Sequence, residues 1–250
     1  MNTECKIMGI LNCTPDSFFA GSRVQTERDI AQRAEQILRE GGHIIDVGAY
    51  STRPGAQEVS EEEEMRRLRM ALSVIRREQP DAVLSVDTFR ASVARMAVEE
   101  FNVQIINDVS EGIDADMFSE VGKLRVSYIL MSVEPDIKRM TERFRREVAQ
   151  LQAAGCKDII LDPGFGFGKD VIRGNFDTLI HLDELKEQFP TLPLLVGMSR
   201  KRMVWMPLDV TPDSDAAMQG TMLLDLIALR QGADILRVHD VKETATLLEL

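Results

Sequence analysis

The chain has little of what several classes of protein require. Its three cysteines, Cys5, Cys13 and Cys156, have the spacing of neither a disulfide framework nor a zinc site. The formal net charge of −11 opposes general affinity for nucleic acid, because that affinity depends on Lys and Arg contacts to phosphate. No apolar run reaches the roughly 20 residues that cross a bilayer, and residues 1–5 do not have the order of a signal peptide. We therefore expect a cytoplasmic protein that binds neither membrane nor nucleic acid.

What the sequence does contain is a repeat of short apolar runs and longer amphipathic runs, which is typical of parallel strands joined by helices. Strands are predicted near 6–12, 43–49, 82–87, 104–109, 125–132, 157–163, 192–199 and 233–239. Three of them follow a glycine, Gly41, Gly155 or Gly232, that would end the preceding helix. No dinucleotide-binding glycine motif follows the first strand. The pattern therefore predicts an α/β protein, a single (β/α)8 TIM barrel over residues 1–250.

Polar residues stand where several predicted strands end, which is the face of such barrels that carries the active site. Because the barrel closes on itself, the seventh, eighth, first and second strands are neighbours. We expect their ends to form a cationic sector that contains Asn12, Thr52, Arg53, Lys201, Arg237 and His239. Guanidinium groups bind phosphate oxygens well, so this sector predicts a diphosphate or similar anion. The alternative is that the cations pair only with Asp46, Asp108 and Asp240.

The third, fourth and sixth strands end instead in Asp87, Asn107 and Asp162. A flat heterocycle with an amino group beside a ring N–H could bind the Asp162 carboxylate while Asn107 binds its other edge. The alternative for both carboxylates is that they cap the following helices. In the glycine-rich loop after Asp162, we expect Phe167 to contact a ligand and Phe165 to lie in the core.

The remaining polar residues are interpreted by position. His43 opens a strand and His181 lies in a helical run, so both are expected to be structural, whereas His239 lies on the active face. Ser60 is expected to cap a helix whose first turn is acidic. A hard cation such as Mg²⁺ could be held by Asn12 together with substrate phosphates.

Seven motifs occur in order along nearly the whole chain: MGILNCTPDSF (8–18), STRPG (51–55), SVDT (85–88), IND (106–108), LDPGFGFGK (161–169), GMSRK (197–201) and RVHD (237–240). Together they resemble the ordered signature of the dihydropteroate synthase family. The resemblance implies a transferase of folate biosynthesis that joins 6-hydroxymethyl-7,8-dihydropterin diphosphate to p-aminobenzoate and releases pyrophosphate. It also implies a Mg²⁺ ion at Asn12, sensitivity to sulfonamides and a homodimer.

The resemblance further implies a role for each matching residue. The pterin would be bound by Asp87, Asn107, Asp162, Lys201 and Arg237. The diphosphate would be bound by Asn12, Thr52, Arg53, Arg237 and His239. The p-aminobenzoate pocket would be formed by Phe18, Pro54, Phe167, Ser199 and Lys201. The groups expected to act in catalysis are Arg53, Asp87, Lys201, Arg237 and His239.

Some positions depart from the family pattern, and alternatives stay open. Tyr50 stands where an acidic residue commonly precedes the STRP motif, Ser132 and Val133 replace a frequent His-Met pair, and 19–21 replace a more polar turn. A pterin-binding paralogue without activity would fit these departures. A methyltetrahydrofolate–corrinoid methyltransferase would be similar in barrel but would not need the diphosphate sector. A Schiff-base aldolase would have Lys201 as its amine.

Overall fold

A parallel sheet forms the centre of the molecule. The computed structural model describes residues 5–13, 26–50 and 59–249, and within them the sheet has eight strands. Their bounds are β1 Lys6–Asn12, β2 Ile44–Gly48, β3 Leu84–Asp87, β4 Ile105–Asp108, β5 Ser127–Met131, β6 Ile159–Asp162, β7 Leu195–Val196 and β8 Ile235–Val238. The strand order is β6-β5-β4-β3-β2-β1-β8-β7, and a bridge between Leu161 and Leu194 connects its two ends. The predicted TIM barrel is confirmed: β1 has the predicted bounds, β7 is much shorter than its predicted range, and the other strands are each shorter by a few residues.

Helices cover the outside of the sheet. Their bounds are α1 Glu27–Arg39, α2 Glu61–Glu78, α3 Ala91–Phe101, α4 Met117–Leu124, α5 Ile137–Ala153, α6 Arg173–Ile180, α7 Leu182–Gln188, α8 Arg202–Trp205, α9 Asp215–Arg230 and α10 Val241–Leu248. The predicted cap is confirmed, because Ser60 Oγ accepts a hydrogen bond from the Glu63 amide at the start of α2. In the described part of the chain no helix is both long and apolar enough to span a membrane.

Glycine ends three of these helices, as the sequence predicted. Gly41, Gly155 and Gly232 have φ angles of 98°, 99° and 96°, which a side chain would disfavour. Each one follows a helix and immediately precedes a strand, so the chain can reverse direction within a few residues. The three turns set where β2, β6 and β8 start. They therefore also set how far the carboxyl end of each of these strands reaches toward the active face.

The barrel interior changes from apolar to polar along the strands. A ring of buried apolar side chains fills its lower part: Met8, Ile44, Ile105, Ile129, Ile160, Leu195 and Ile235. Because strand side chains alternate between faces, the residues two positions later also face the interior. They include Asp46, Asn107, Asp162 and Arg237. Four positions after the ring lie Asn12, Ser199 and His239, so the period of two itself brings the predicted site residues to the barrel mouth.

Candidate active site

A buried carboxylate lies at the centre of the barrel mouth. Asp46 is fully buried on β2; its Oδ1 accepts a 2.6 Å hydrogen bond from Ser85, and its Oδ2 accepts from Asn107 Nδ2 at 3.2 Å. Arg237 Nε also donates to Oδ2, at 2.7 Å. The sequence predicted Asp46 only as an ion-pair partner of the cations. The structure confirms that pairing and shows in addition that Asp46 orients three neighbouring polar side chains.

Arg237 on β8 connects this centre to the end of β3. Its Nη2 donates to Asp87 Oδ2 at 3.1 Å, so one guanidinium bridges two carboxylates. Burial raises the pKa of Asp87 to about 7, while Arg237 opposes the rise and Asp46 adds to it. The alternative that Asp87 caps a helix is wrong, because the N-cap of α3 is Arg90, without a side-chain hydrogen bond.

Asn107 offers an acceptor at the same depth. Its amide nitrogen is bound to Asp46, which fixes the orientation of the side chain. Its Oδ1 is buried and has no hydrogen-bond partner among the described residues. Leaving a buried polar atom unpaired costs roughly 1–3 kcal/mol. The position therefore suits a ligand that brings an N–H donor to this oxygen.

Asp162 ends β6 on the other side of the mouth. Its Oδ1 accepts a 2.7 Å hydrogen bond from the Gly164 amide, in a tight turn and not at a helix start. The predicted alternative, a helix cap, is therefore wrong for Asp162 as well. Burial raises the pKa of this carboxyl, and the positive charge of Lys201 acts against the rise.

Lys201 crosses the glycine-rich loop that follows Asp162. Its Nζ donates to the Phe165 carbonyl at 2.6 Å and lies 4.9 Å from the centre of the Phe167 ring. A Cβ atom at Gly166 would come within 3.2 Å of the Lys201 stem, so glycine provides the space for this crossing. Phe165 is fully buried, as predicted, while Phe167 is partly exposed beside Lys201. Burial lowers the pKa of Lys201 to about 8, against the attraction of Asp162.

Lys169 at the end of the same loop was missed as a functional residue. Its buried Nζ lies 3.3 to 3.4 Å from the carbonyl oxygens of Ser132, Gly164 and Phe167. It therefore holds the loop after β6 against the loop after β5. The motif contained this residue, but nothing in the sequence showed that its ammonium group would turn back into its own loop.

His239 and Ser199 lie together beyond the ends of β8 and β7. The His239 amide donates to Ser199 Oγ at 3.1 Å, and His239 Nδ1 lies 3.1 Å from the same oxygen. Burial lowers the pKa of His239 well below its ordinary value, and Arg237 and Arg33 add to this effect. These surroundings therefore favour the neutral imidazole of His239. Ser199, predicted on the p-aminobenzoate side, lies on the side predicted for the diphosphate.

Asn12 lies at the end of β1 and is paired with Gly48 on β2. A Cβ atom added at Gly48 would lie 3.2 Å from Asn12 Oδ1. Among the described residues no group of three or more His, Cys, Asp and Glu side chains could hold a metal ion. Asn12 would supply one oxygen ligand, with phosphate oxygens and water among the others. That arrangement fits Mg²⁺, which keeps several waters and is often bound through substrate phosphates.

Of the other carboxylates in the pairing alternative, Asp240 forms a two-bond ion pair with Arg200, which was not among the predicted cations, and Asp108 accepts hydrogen bonds from Ser110 and Tyr128. His43 Nδ1 accepts from the Ile7 amide at the lower face, and His181 is exposed.

Four predicted site residues lie outside the described residues: Phe18, Thr52, Arg53 and Pro54. Of the departures, 19–21 also lie outside them; Tyr50 packs edge-on against Phe89, and Ser132 Oγ accepts from the Glu134 amide.

Comparison with known proteins agrees with this geometry. The family described as pterin binding enzyme matches residues 8–239. The chain is 36% identical to dihydropteroate synthase of Escherichia coli, over 98% of this chain and 89% of the relative. A Yersinia pestis dihydropteroate synthase solved with a sulfonamide drug superposes with a TM-score of 0.89 at 37% identity, covering 98% of this chain and 92% of that one.

A further solved structure points the same way. The Coxiella burnetii dihydropteroate synthase in complex with pteroic acid gives a TM-score of 0.89 at 30% identity, over all of this chain and 92% of that one. These likenesses extend over the whole barrel and not over one motif. The family predicted from the seven motifs is therefore confirmed: the chain belongs to the dihydropteroate synthases, within the pterin-binding enzymes.

Proposed function

We propose that this chain condenses 6-hydroxymethyl-7,8-dihydropterin diphosphate with p-aminobenzoate to give 7,8-dihydropteroate and pyrophosphate. The observation that carries the proposal is the buried Oδ1 of Asn107, which has no hydrogen-bond partner in the described part of the chain and faces the same barrel mouth as Asp162. A pterin ring has a complementary edge, with an amino group and a ring N–H side by side. Family membership supports the same assignment.

The pterin would lie across the polar layer of the barrel. Asp162 would accept hydrogen bonds from the amino group and ring N–H, and Asn107 Oδ1 would accept from another N–H of the ring. Because Asp46 holds the Asn107 amide and Arg237 at fixed distances, these groups are oriented before the substrate binds. Arg237 and Lys201 would lie against the ring.

The diphosphate would bind toward the ends of β1 and β8. Asn12 and His239 would contact it, together with Arg237 and the Thr52 and Arg53 side chains. A neutral His239 can donate one N–H to a phosphate oxygen without carrying charge of its own. A Mg²⁺ ion beside Asn12 would supply charge neutralisation for the leaving diphosphate.

In the reaction, the bond between the pterin methylene carbon and the diphosphate oxygen breaks, and the electron pair leaves with pyrophosphate. The cation that remains is delocalised into the ring, where the Asp162 carboxylate stabilises it. The amine of p-aminobenzoate forms the new carbon–nitrogen bond. The nitrogen then carries a positive charge and is acidic, so it readily loses a proton. Fixed charges therefore account for most of the expected rate enhancement, and Phe167 with the Lys201 stem would orient the incoming ring.

The deciding test is pyrophosphate release by the purified protein with the pterin diphosphate and Mg²⁺, with and without p-aminobenzoate. Release that depends on p-aminobenzoate and yields dihydropteroate supports the proposal. A sulfonamide should then raise the apparent KM for p-aminobenzoate, as expected for a competitor. Pterin binding without product would overturn the activity and favour the inactive paralogue suggested by Tyr50 and Ser132.

We also propose that the chain forms a cytoplasmic homodimer. Large apolar side chains are exposed at Met206 and Leu208 after α8, and Leu223 on α9 is 61% exposed. Exposed apolar side chains of this size are suited to burial against a second copy. Light scattering of the purified protein would overturn this assignment if it gave the monomer mass. The three buried free cysteines suit a reducing compartment.

A further inference from the structure

Arg33 on α1 reaches from the helix layer to the strand ends beneath the active face. It is 6% exposed, and its Nε donates to the Ile10 carbonyl at 3.3 Å. Its Nη2 donates to the His239 carbonyl at 2.8 Å. One planar guanidinium therefore joins the backbones of β1 and of the residue just after β8.

This bridge begins where the sheet's own pairing stops. The registered pairs between β1 and β8 run from Lys6 with Ile235 to Gly9 with Val238. Ile10 and His239 are the next residues on either side, and Arg33 bonds both carbonyls. The guanidinium thus extends the junction of the two strands by one step, toward Asn12 and the His239 side chain.

Arg33 also brings a positive charge to this place. Its three hydrogen-bond partners are neutral: two backbone carbonyls and the side-chain amide oxygen of Gln36, at 3.1 Å. Gln36 in turn donates to Glu40, and the charges of Glu40 and Asp240 also act on the guanidinium. A guanidinium stays protonated even when it is buried. Its field acts on His239, whose pKa it helps to lower.

We propose that Arg33 is a positioning residue for the diphosphate: it fixes the separation of Asn12 and His239, and its charge attracts the anion from behind them. The inference rests on the proposed function, because it assumes that a diphosphate binds between these two residues. Arg33 does not touch the substrate in this proposal. It acts through the two strand ends that it holds.

Arg76 on α2 provides a matched control. Its guanidinium likewise donates to backbone carbonyls, those of Phe101, Ala82 and Asn102, at 2.7 to 2.8 Å. These carbonyls precede β3 and β4, so the bridge lies at the lower face of the barrel, away from the mouth. Loss of Arg76 should affect folding in a similar way without changing anion binding.

The experiment measures binding of inorganic pyrophosphate and of 6-hydroxymethylpterin by calorimetry, with melting temperature as a third readout. For Arg33→Met we expect pyrophosphate affinity to fall roughly tenfold, as for loss of one partly screened charge, while the affinity for 6-hydroxymethylpterin stays the same. Arg33→Lys keeps the charge and should recover part of the loss. Arg76→Met should lower the melting temperature and leave both affinities unchanged.

Equal weakening of both ligands by Arg33→Met, or no weakening of either, would overturn the proposal. If Arg33→Met does not fold, the comparison of Arg33→Lys with Arg76→Lys decides, since only the former should weaken pyrophosphate binding. A wild-type protein that binds pyrophosphate but makes no dihydropteroate would contradict the proposed activity and leave the role of Arg33 standing.

Discussion

The barrel mouth and helix α9 both bury carboxylates, but they treat them differently. At the mouth, Asp46 accepts hydrogen bonds from Ser85, Asn107 and Arg237. On α9, Asp225 is equally buried, and neither of its carboxylate oxygens has a hydrogen-bond partner among the described residues. Burial raises the pKa of Asp225 to about 8, and the charge of Asp240 adds to the rise.

The two carboxylates differ in whether a cation lies beside them. A cation beside a buried carboxylate compensates for lost hydration and keeps the charge available to a ligand. Asp225 has no such compensation, so near neutral pH it takes up a proton or destabilises the fold. Burial alone therefore does not mark a functional carboxylate.

Removing the Arg237 cation should leave the carboxylates of the barrel mouth uncompensated, as Asp225 is on α9. Arg237→Ala leaves Asp46 and Asp87 buried without their ion-pair partner, which typically costs about 3–5 kcal/mol of stability. We also expect turnover to fall by roughly a thousandfold or more, because a group that stabilises developing charge is lost. Steady-state kinetics and thermal melting measure both effects. The control is His181→Ala, at an exposed helix end; comparable losses in the two variants would refute the assigned role of Arg237.

Removing the uncompensated charge of Asp225 should stabilise the protein, whereas removing Arg237 should destabilise it. Asp225→Asn should raise the free energy of unfolding by about 1–3 kcal/mol at pH 8, because an amide cannot ionise and so avoids the cost of burying a negative charge. Since the pKa rises from 3.8 to about 8 on folding, the native carboxyl contributes stability below pH 4 that is lost as the pH rises toward 8.

The gain from Asp225→Asn should therefore shrink on going from pH 8 to pH 4. Denaturant titrations at both pH values give the measurement. Asp213→Asn, at an exposed turn, should show no such trend. Turnover should be unchanged in both variants, and a gain of the same size at both pH values would argue against this account of Asp225.

Asn107 Oδ1 is a buried amide oxygen at the mouth without a hydrogen-bond partner among residues 5–13, 26–50 and 59–249. Asn107→Leu should weaken binding of 6-hydroxymethylpterin by roughly tenfold, the value of one hydrogen bond of about 1.4 kcal/mol. Pyrophosphate binding should not change. Calorimetry with the two ligands separates these outcomes, and unchanged pterin affinity would show that Asn107 Oδ1 does not face the ring.

The smallest effect is expected at the aromatic side of the mouth. Phe167→Leu removes the ring beside Lys201 Nζ and should raise the KM for p-aminobenzoate about three- to fivefold, with kcat little changed. Phe165→Leu, at the buried position of the same loop, should instead lower the melting temperature. A change in the KM for the pterin diphosphate alone would move Phe167 out of the p-aminobenzoate pocket.

The sequence predicted the strands, the glycine turns and most of the rim residues, because these follow from local periodicity and from where a buried strand turns polar. It did not predict the central position of Asp46, since that depends on Arg237, which lies 191 residues away in the chain. The contribution of Arg33 was missed for the same reason. Its partners are backbone carbonyls of distant strands, which leave no pattern in the sequence.

The closure between β6 and β7 has a consequence for self-association. β7 has only two residues. The segment just before it is joined to β6 by the Leu161–Leu194 bridge and by a 2.9 Å hydrogen bond from the Leu161 amide to the Pro193 carbonyl. If this short junction opened, two strand edges would be exposed to other chains. Proline at 193 has no N–H to donate and would interrupt edge-to-edge pairing there. The place where the cylinder is most weakly joined thus carries its own protection against aggregation.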